Sequence, residues 1–268
     1  MTTPLIQLRG VSVRFGRQRV LSNIHLDVFA NETLALIGES GCGKSVTLKL
    51  IVGLLQPTEG EVLFNGRRVA EMPEKELTAM RLRVGFLFQG AALFDSLTVF
   101  DNVAFGVRAK GGVGEADVAK IVKERLLEVG LPEAVQAKMP AELSGGMRKR
   151  VGLARAMALD PAVMLYDEPT TGLDPIMTDV INELIVRTRS RRPITSVVVT
   201  HEMRTVQRVA DRVVMLYPLA RLNPGEPQVV YDGPTTGLDT TLDARVRQFV
   251  AGHAGDRITE LRGEISEP

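Results

Sequence analysis

The sequence predicts an α/β fold built on a largely parallel sheet with a phosphate-binding loop at its centre. Three observations lead there. The stretch Gly38-Glu39-Ser40-Gly41-Cys42-Gly43-Lys44-Ser45 matches G-x-x-x-x-G-K-[ST]. It is preceded by Thr33-Leu34-Ala35-Leu36-Ile37, a short apolar run, and followed by Val46, Leu48, Leu50, Ile51 and Leu54 at helical spacing. Further on, Val163-Met164-Leu165-Tyr166 and the run 194–199 are apolar without alternation, as strands covered on both faces are.

Taken in order, residues 5–37 alternate short β runs with turns. Leu5 to Leu8, Val11 to Phe15 and Ile24 to Val28 read as strands, the last two half-exposed, with a turn at Gly16-Arg17-Gln18-Arg19. After the helix that follows the glycine loop, Pro57-Thr58-Glu59-Gly60 predicts a turn and Glu61 to Gly66 a strand entering a hairpin. A short charged helix is expected over 74–82 and a strand over 84–88. From about 95 the character changes. Gly111-Gly112-Val113-Gly114 breaks the chain, and a helix rich in Ala, Lys, Glu and Leu runs from Glu115 to Val129. This predicts a helical subdomain over about 95–160 inserted in a domain of residues 5–250. The stretch 221–227, with two prolines and a glycine, reads as a loop or hairpin tip, and 251–268 as a tail whose polar residues 255–268 are mobile. The hexapeptide Pro169-Thr170-Thr171-Gly172-Leu173-Asp174 recurs at 234–239. Only the first copy follows a pair of acids, so the second is read as turn chemistry leading into the last helix.

The bulk properties narrow the function. The 268 residues are 44% hydrophobic and 24% charged, as one compact domain requires. A net charge of +1 without a basic run argues against a broad nucleic-acid surface. No apolar run approaches the ~20 residues that span a bilayer, and no signal peptide is visible before the first strand. One cysteine precludes an intrachain disulfide and a cysteine-cluster zinc site. A cytosolic protein is expected.

The glycine loop carries the chemistry. Its glycines let successive backbone N–H groups turn inward around phosphate oxygens, and the helix starting near Gly43 adds its positive end. Lys44 is expected at the β- and γ-phosphates, and the Ser45 hydroxyl at Mg²⁺. Four further segments add to this. Asp167 and Glu168 end an apolar strand, which places Asp167 to hold the metal and Glu168 to act as general base. Leu143-Ser144-Gly145-Gly146-Met147 precedes a helix read from Arg148 to Leu159. Its hydroxyl and glycines at a helix N-terminus make a second anion site. A second phosphate site is most economically explained by a second copy of the chain. Gln89 and His201, in the two remaining segments, have no role that the residues alone assign.

The order glycine loop, Gln89, Leu-Ser-Gly-Gly, Asp167-Glu168, Gly172-Leu173-Asp174, His201 resembles the ATP-binding cassette (ABC) family over nearly the whole chain. The resemblance implies a P-loop ABC nucleotide-binding domain: a RecA-like core, an antiparallel β subdomain and an inserted helical subdomain. It also implies roles. Gln89 touches Mg²⁺ and the attacking water. Ser144, Gly145 and Gly146 meet the opposite γ-phosphate. Asp174 lies at the dimer seam, His201 contacts the γ-phosphate, and Phe15 stacks on adenine. ATP and Mg²⁺ are the implied ligands.

A finer similarity links Gln89 through Val103, Met147 in place of the glutamine usual in the fifth signature position, and Ala244 to Phe249 to the Mla-type phospholipid-transport branch, including its Mce-associated and plastid members. That branch implies a homodimer of ATPase subunits on the cytoplasmic face of the inner membrane. Its partners there are a permease dimer, an MCE-domain lipid-binding protein and, in some bacteria, a STAS-domain subunit; nucleic acid is not among them. Two alternatives stay open: an ABC ATPase for another solute such as an amino acid, and a non-transport ABC ATPase acting on DNA or ribosomes. Near-neutral charge, a single cassette and the lack of zinc cysteines weigh against the last.

Overall fold

Two sheets converge on the helix that follows the glycine loop. The computed structural model describes residues 3–253. Strands β1 (Ile6–Phe15) and β2 (Gln18–Val28) pair antiparallel across a turn at Gly16-Arg17. The sequence suggests two separate runs before Gly16. The structure carries them as one strand because an irregularity in the ladder between Leu8 and Val11 keeps pairing intact on both sides. Ile6, Leu8, Val11 and Val13 face the core. Strand β3 (Thr33–Gly38) is buried throughout and runs through the loop into α1 (Lys44–Ile51). Strands β4 (Glu59–Phe64) and β5 (Arg67–Arg68) turn at Asn65-Gly66 and complete a four-stranded sheet ordered β2-β1-β4-β5.

Helix α2 (Glu74–Arg81) leads to β6 (Val84–Leu87). Three helices follow before the chain returns to the sheet: α3 (Val99–Lys110), α4 (Glu115–Glu128) and α5 (Gly145–Met157). Thr98 caps α3 by accepting the Asp101 N–H at 3.1 Å, and Ser144 caps α5 by accepting that of Met147 at 3.3 Å. The chain then alternates through β7 (Val163–Asp167), α6 (Pro175–Arg191), β8 (Thr195–Val199), α7 (Met203–Val209) and β9 (Arg212–Leu216). Pro175 occupies the first turn of α6, where its missing N–H costs nothing, and Asp174 caps that helix. Strand β10 (Val229–Pro234) and helix α8 (Ala244–Val250) end the described chain.

The second sheet has the order β10-β9-β3-β8-β7-β6, parallel except for β10, which pairs antiparallel with β9. Its central strands are buried on both faces. Leu34 and Leu36 enter the core shared with the antiparallel sheet, while Ala35 and Ile37 enter another with α7 and α8. A third core joins α3, α4, α5 and α6 to Met164, Tyr166 and Val198. Each such buried aliphatic stabilises the fold by roughly 1.5–3 kcal/mol.

The tip anticipated at 221–227 joins β9 to β10, and the second hexapeptide forms a single 3₁₀ turn ahead of α8. The tail read at 255–268 lies outside the described residues. No helix among the described residues is long and apolar enough to cross a membrane.

Candidate functional site

The loop between β3 and α1 closes on itself. Gly38 has φ +140°, and a Cβ there would sit 2.2 Å from the Leu216 carbonyl oxygen; at Gly43, with φ +102°, it would strike the Leu21 side chain at 2.4 Å. Both positions therefore require glycine, and both let the backbone turn its N–H groups toward the cleft. Lys44 curls over the loop, its Nζ donating to the carbonyls of Gly38 and Glu39 at 2.8 Å each. The Glu39 carboxylate pairs with Arg221, from the β9–β10 connection, at 3.0 Å. Cys42 points away from the cleft into the core. It is 1% exposed, and burial pushes its thiol pKa up despite Lys44 nearby.

Beside the loop, β7 delivers its two acids. The Ser45 hydroxyl donates to Asp167 Oδ1 at 2.7 Å. Burial raises the Asp167 pKa, and Glu168 adds to the rise, against the hydrogen bond from Ser45 and the charges of Lys49 and Lys44. A carboxylate short of counter-charge beside a hydroxyl is an oxygen donor pair suited to a hard divalent cation.

Glu168 follows with φ +49°, a left-handed conformation that costs a non-glycine residue about 1–2 kcal/mol. Its backbone is held at both ends: the N–H donates to the Val199 carbonyl at 2.9 Å, and its carbonyl accepts from Lys149 Nζ at 2.9 Å. Its side chain is held too. Thr171 donates to Oε2 at 2.9 Å, and His201 Nδ1 lies 3.0 Å from Oε1.

A cleft of about 950 Å³ joins these groups. Of the residues singled out from sequence, its wall contains Gly38, Glu39, Ser40, Gly41, Gly43, Lys44, Ser45, Gln89, Glu168 and His201. Asp167 reaches it through Ser45. Phe15, half-exposed at the end of β1, does not line it; Gln18 and Val20 of the next strand do. Ser144, Gly145, Gly146 and Asp174 are also outside it. Ser144 and Gly145 are exposed at the start of α5, and Asp174 is exposed at the start of α6. Sequence reasoning missed the far wall: Tyr217, Arg245, Gln248, Phe249 and His253, brought in by β9 and α8. Only the run Ala244 to Phe249 marked that region, and nothing in it pointed to the loop.

A glycine loop between a buried parallel strand and a helix, with an acid pair ending the next strand but one of the same sheet, defines a P-loop nucleoside triphosphatase. Residues 21–171 match the ABC transporter family. The chain is 39% identical over 254 residues to the intermembrane phospholipid transport system ATP-binding protein MlaF of Haemophilus influenzae, spanning 95% of this chain and 93% of that protein. It is 40% identical over 247 residues to the probable ribonucleotide transport ATP-binding protein mkl of Mycobacterium leprae, spanning 92% of this chain and 69% of that one. Among solved structures, the dimeric post-hydrolysis state of the ATP-binding cassette MJ0796 bound to ADP and Pi superposes with a TM-score of 0.75 at 31% identity, covering 86% of this chain and 98% of that one. The chain belongs to the ABC transporter family, as an ATPase built on the family's nucleotide-binding cassette.

Proposed function

We propose that this chain is the ATPase subunit of a phospholipid-moving ABC transporter. The observation that carries this reading is the identity to MlaF along nearly that protein's whole length. In this reading Gly38 to Ser45, including the backbone of Cys42, cradle the phosphates, and Lys44 moves from its carbonyl partners to the β- and γ-phosphates. Mg²⁺ would be held by Ser45 and Asp167, with the Gln89 amide oxygen as a further donor. It would offset phosphate charge and the buried Asp167 carboxylate together.

Glu168 is the general base for the attacking water. Thr171 and His201 orient its carboxylate, whose remaining lone pairs can accept the proton of the water. His201 then faces the γ-phosphate. Phe15, outside the cleft wall in the form described, would have to turn toward it to offer an aromatic face to the base.

The turn Ser144-Gly145-Gly146 and Asp174 act on the cleft of a second copy, and the solved MJ0796 dimer supports a two-copy arrangement. ATP closes the pair because its γ-phosphate makes contacts that only the closed form uses, and hydrolysis removes them. The helical subdomain of about 95–160 carries the motion outward. There the rings of Phe94 and Phe105 meet at a tilt, centroids 4.7 Å apart, and both stay about half-exposed, a face suited to a cytoplasmic helix of a permease. Partners would be a permease dimer and an MCE-domain lipid-binding protein, with a STAS-domain subunit a further candidate. The chain would sit on the cytoplasmic face of the inner membrane.

The test is co-purification from native membranes, followed by ATP-driven transfer of fluorescent phospholipid between vesicles. Transfer that needs ATP and is lost in Lys44→Ala supports the reading. A permease-bound complex that moves no lipid overturns it. The similarity to mkl favours a second cargo, and ATP-driven ribonucleotide uptake by the same complex would select it.

A further inference from the structure

Seven non-glycine residues have left-handed backbones among the described residues: Asn23, Asn31, Asn65, Ala91, Ala92, Asp160 and Glu168. Four of these are Asn or Asp, whose side chains tolerate that conformation. The other three, Ala91, Ala92 and Glu168, have no such allowance. All three have carbonyls that accept from a cation of one helix, α5. Arg155 donates from Nη2 to the Ala91 carbonyl at 2.7 Å and from Nη1 to that of Ala92 at 2.8 Å. Lys149 donates to the Glu168 carbonyl at 2.9 Å and also to that of Gln89. Lys149 is 6% exposed. An ammonium is desolvated at that depth only when strong acceptors surround it.

From this coincidence of strain and cation we infer that Lys149 is a positioning residue, which fastens the backbones of Glu168 and Gln89 to the helix that begins at Ser144-Gly145-Gly146. Residues in such conformations persist where the surroundings over-determine them. Here the determining atoms belong to a helix that opens at the exposed Ser144 turn. Lys149 lies one helical turn from that end, and Arg155 nearly two turns beyond Lys149. A rotation of α5 that reseats Ser144 therefore pulls on three strained peptides at once. The left-handed state of Glu168 is the two-state element: with the ammonium seated the carboxylate is aimed at the cleft, and without it the residue relaxes toward the right-handed region.

The inference rests on the ATPase reading above, and one experiment separates the two. Steady-state ATPase activity and binding of a fluorescent ATP analogue are measured on the full chain as wild type, Lys149→Met and Lys149→Arg. Lys149→Met should lower kcat at least 30-fold while analogue affinity stays within 3-fold. Lys149→Arg, which keeps cationic N–H donors, should recover most of the loss. If wild type does not hydrolyse Mg-ATP, the ATPase reading fails. If wild type is active and folded Lys149→Met keeps kcat within 3-fold, or loses binding in step with kcat, only the positioning role fails.

Should Lys149→Met not fold, Arg155→Met takes its place, with Ala91→Gly and Ala92→Gly added to remove the strain that Arg155 holds. Recovery of at least half the lost kcat by the glycines supports the clamp. No recovery overturns it.

Discussion

The glycine loop and the turn at Ser144 are built alike and finished differently. Each is a small-residue turn opening a helix, a form suited to meeting an anion with backbone N–H groups. Around the loop every neighbour is in place: Lys44 on two carbonyls, Ser45 on Asp167, Glu168 between Thr171 and His201, all along one cleft. At the turn, Ser144 and Gly145 are exposed, while Gly146 is buried beside Met177. Ser144 satisfies one N–H of its own helix, Asp174 satisfies two at the start of α6, and Ile176 of α6 is 78% exposed. An exposed turn of this form is what the proposed site shared with a second copy would use. The difference teaches that, in the proposed reading, holding the nucleotide and completing its site fall to different segments, and mutations can pull them apart.

The sharpest separation is within the cleft. Glu168→Gln should bind ATP normally yet hydrolyse it about 10²–10⁴-fold more slowly, the range lost with a general base; near-normal turnover would remove that role. Next comes the turn. Ser144→Arg should leave ATP binding to the isolated chain within about 3-fold while lowering turnover about 100-fold, as loss of one transition-state donor does. Sedimentation of a Glu168→Gln background with and without the Ser144 change would show ATP-dependent pairing lost, and unchanged pairing would break the comparison.

A smaller effect concerns the back of the loop. With Cys42 buried and its thiol pKa raised, alkylation of the native protein should run at least about 10-fold slower than that of a free thiol at pH 8. Rapid labelling with loss of ATP binding would mean that the loop opens.

The mildest effect is a pH dependence. Burial raises the Asp167 pKa in the folded chain. The folded form therefore holds that proton to higher pH than the unfolded chain does, and unfolding releases it in between. The contribution to stability is present below the ordinary carboxylate pKa and is lost as pH rises through the raised value. Thermal melts without nucleotide should show this fall, and Asp167→Asn should flatten it.

What the sequence made legible was whatever local pattern dictates. The loop, the strands β3, β7 and β8, and the acids after β7 were readable because a buried parallel strand needs an unbroken apolar run and a phosphate loop needs its glycines. The far wall of the cleft was not. Tyr217 and Phe249 reach the loop only through the β3–β9 pairing and the packing of α8, long-range facts without a local signature. The left-handed backbones of Ala91, Ala92 and Glu168 were equally hidden, since neither residue type announces that conformation. Lys149 reads from sequence as one more charge on a basic helix, and only the fold reveals that it is buried.

The Arg221–Glu39 pair has one more consequence. A carboxylate within a polyanion's seat would repel the guest, and the arginine cancelling it comes from 182 residues further along the chain. The charge at the triphosphate's seat is thus set in part from a distant hairpin: a neutral residue at 221 would leave the loop with one cation fewer and weaken the guest's hold.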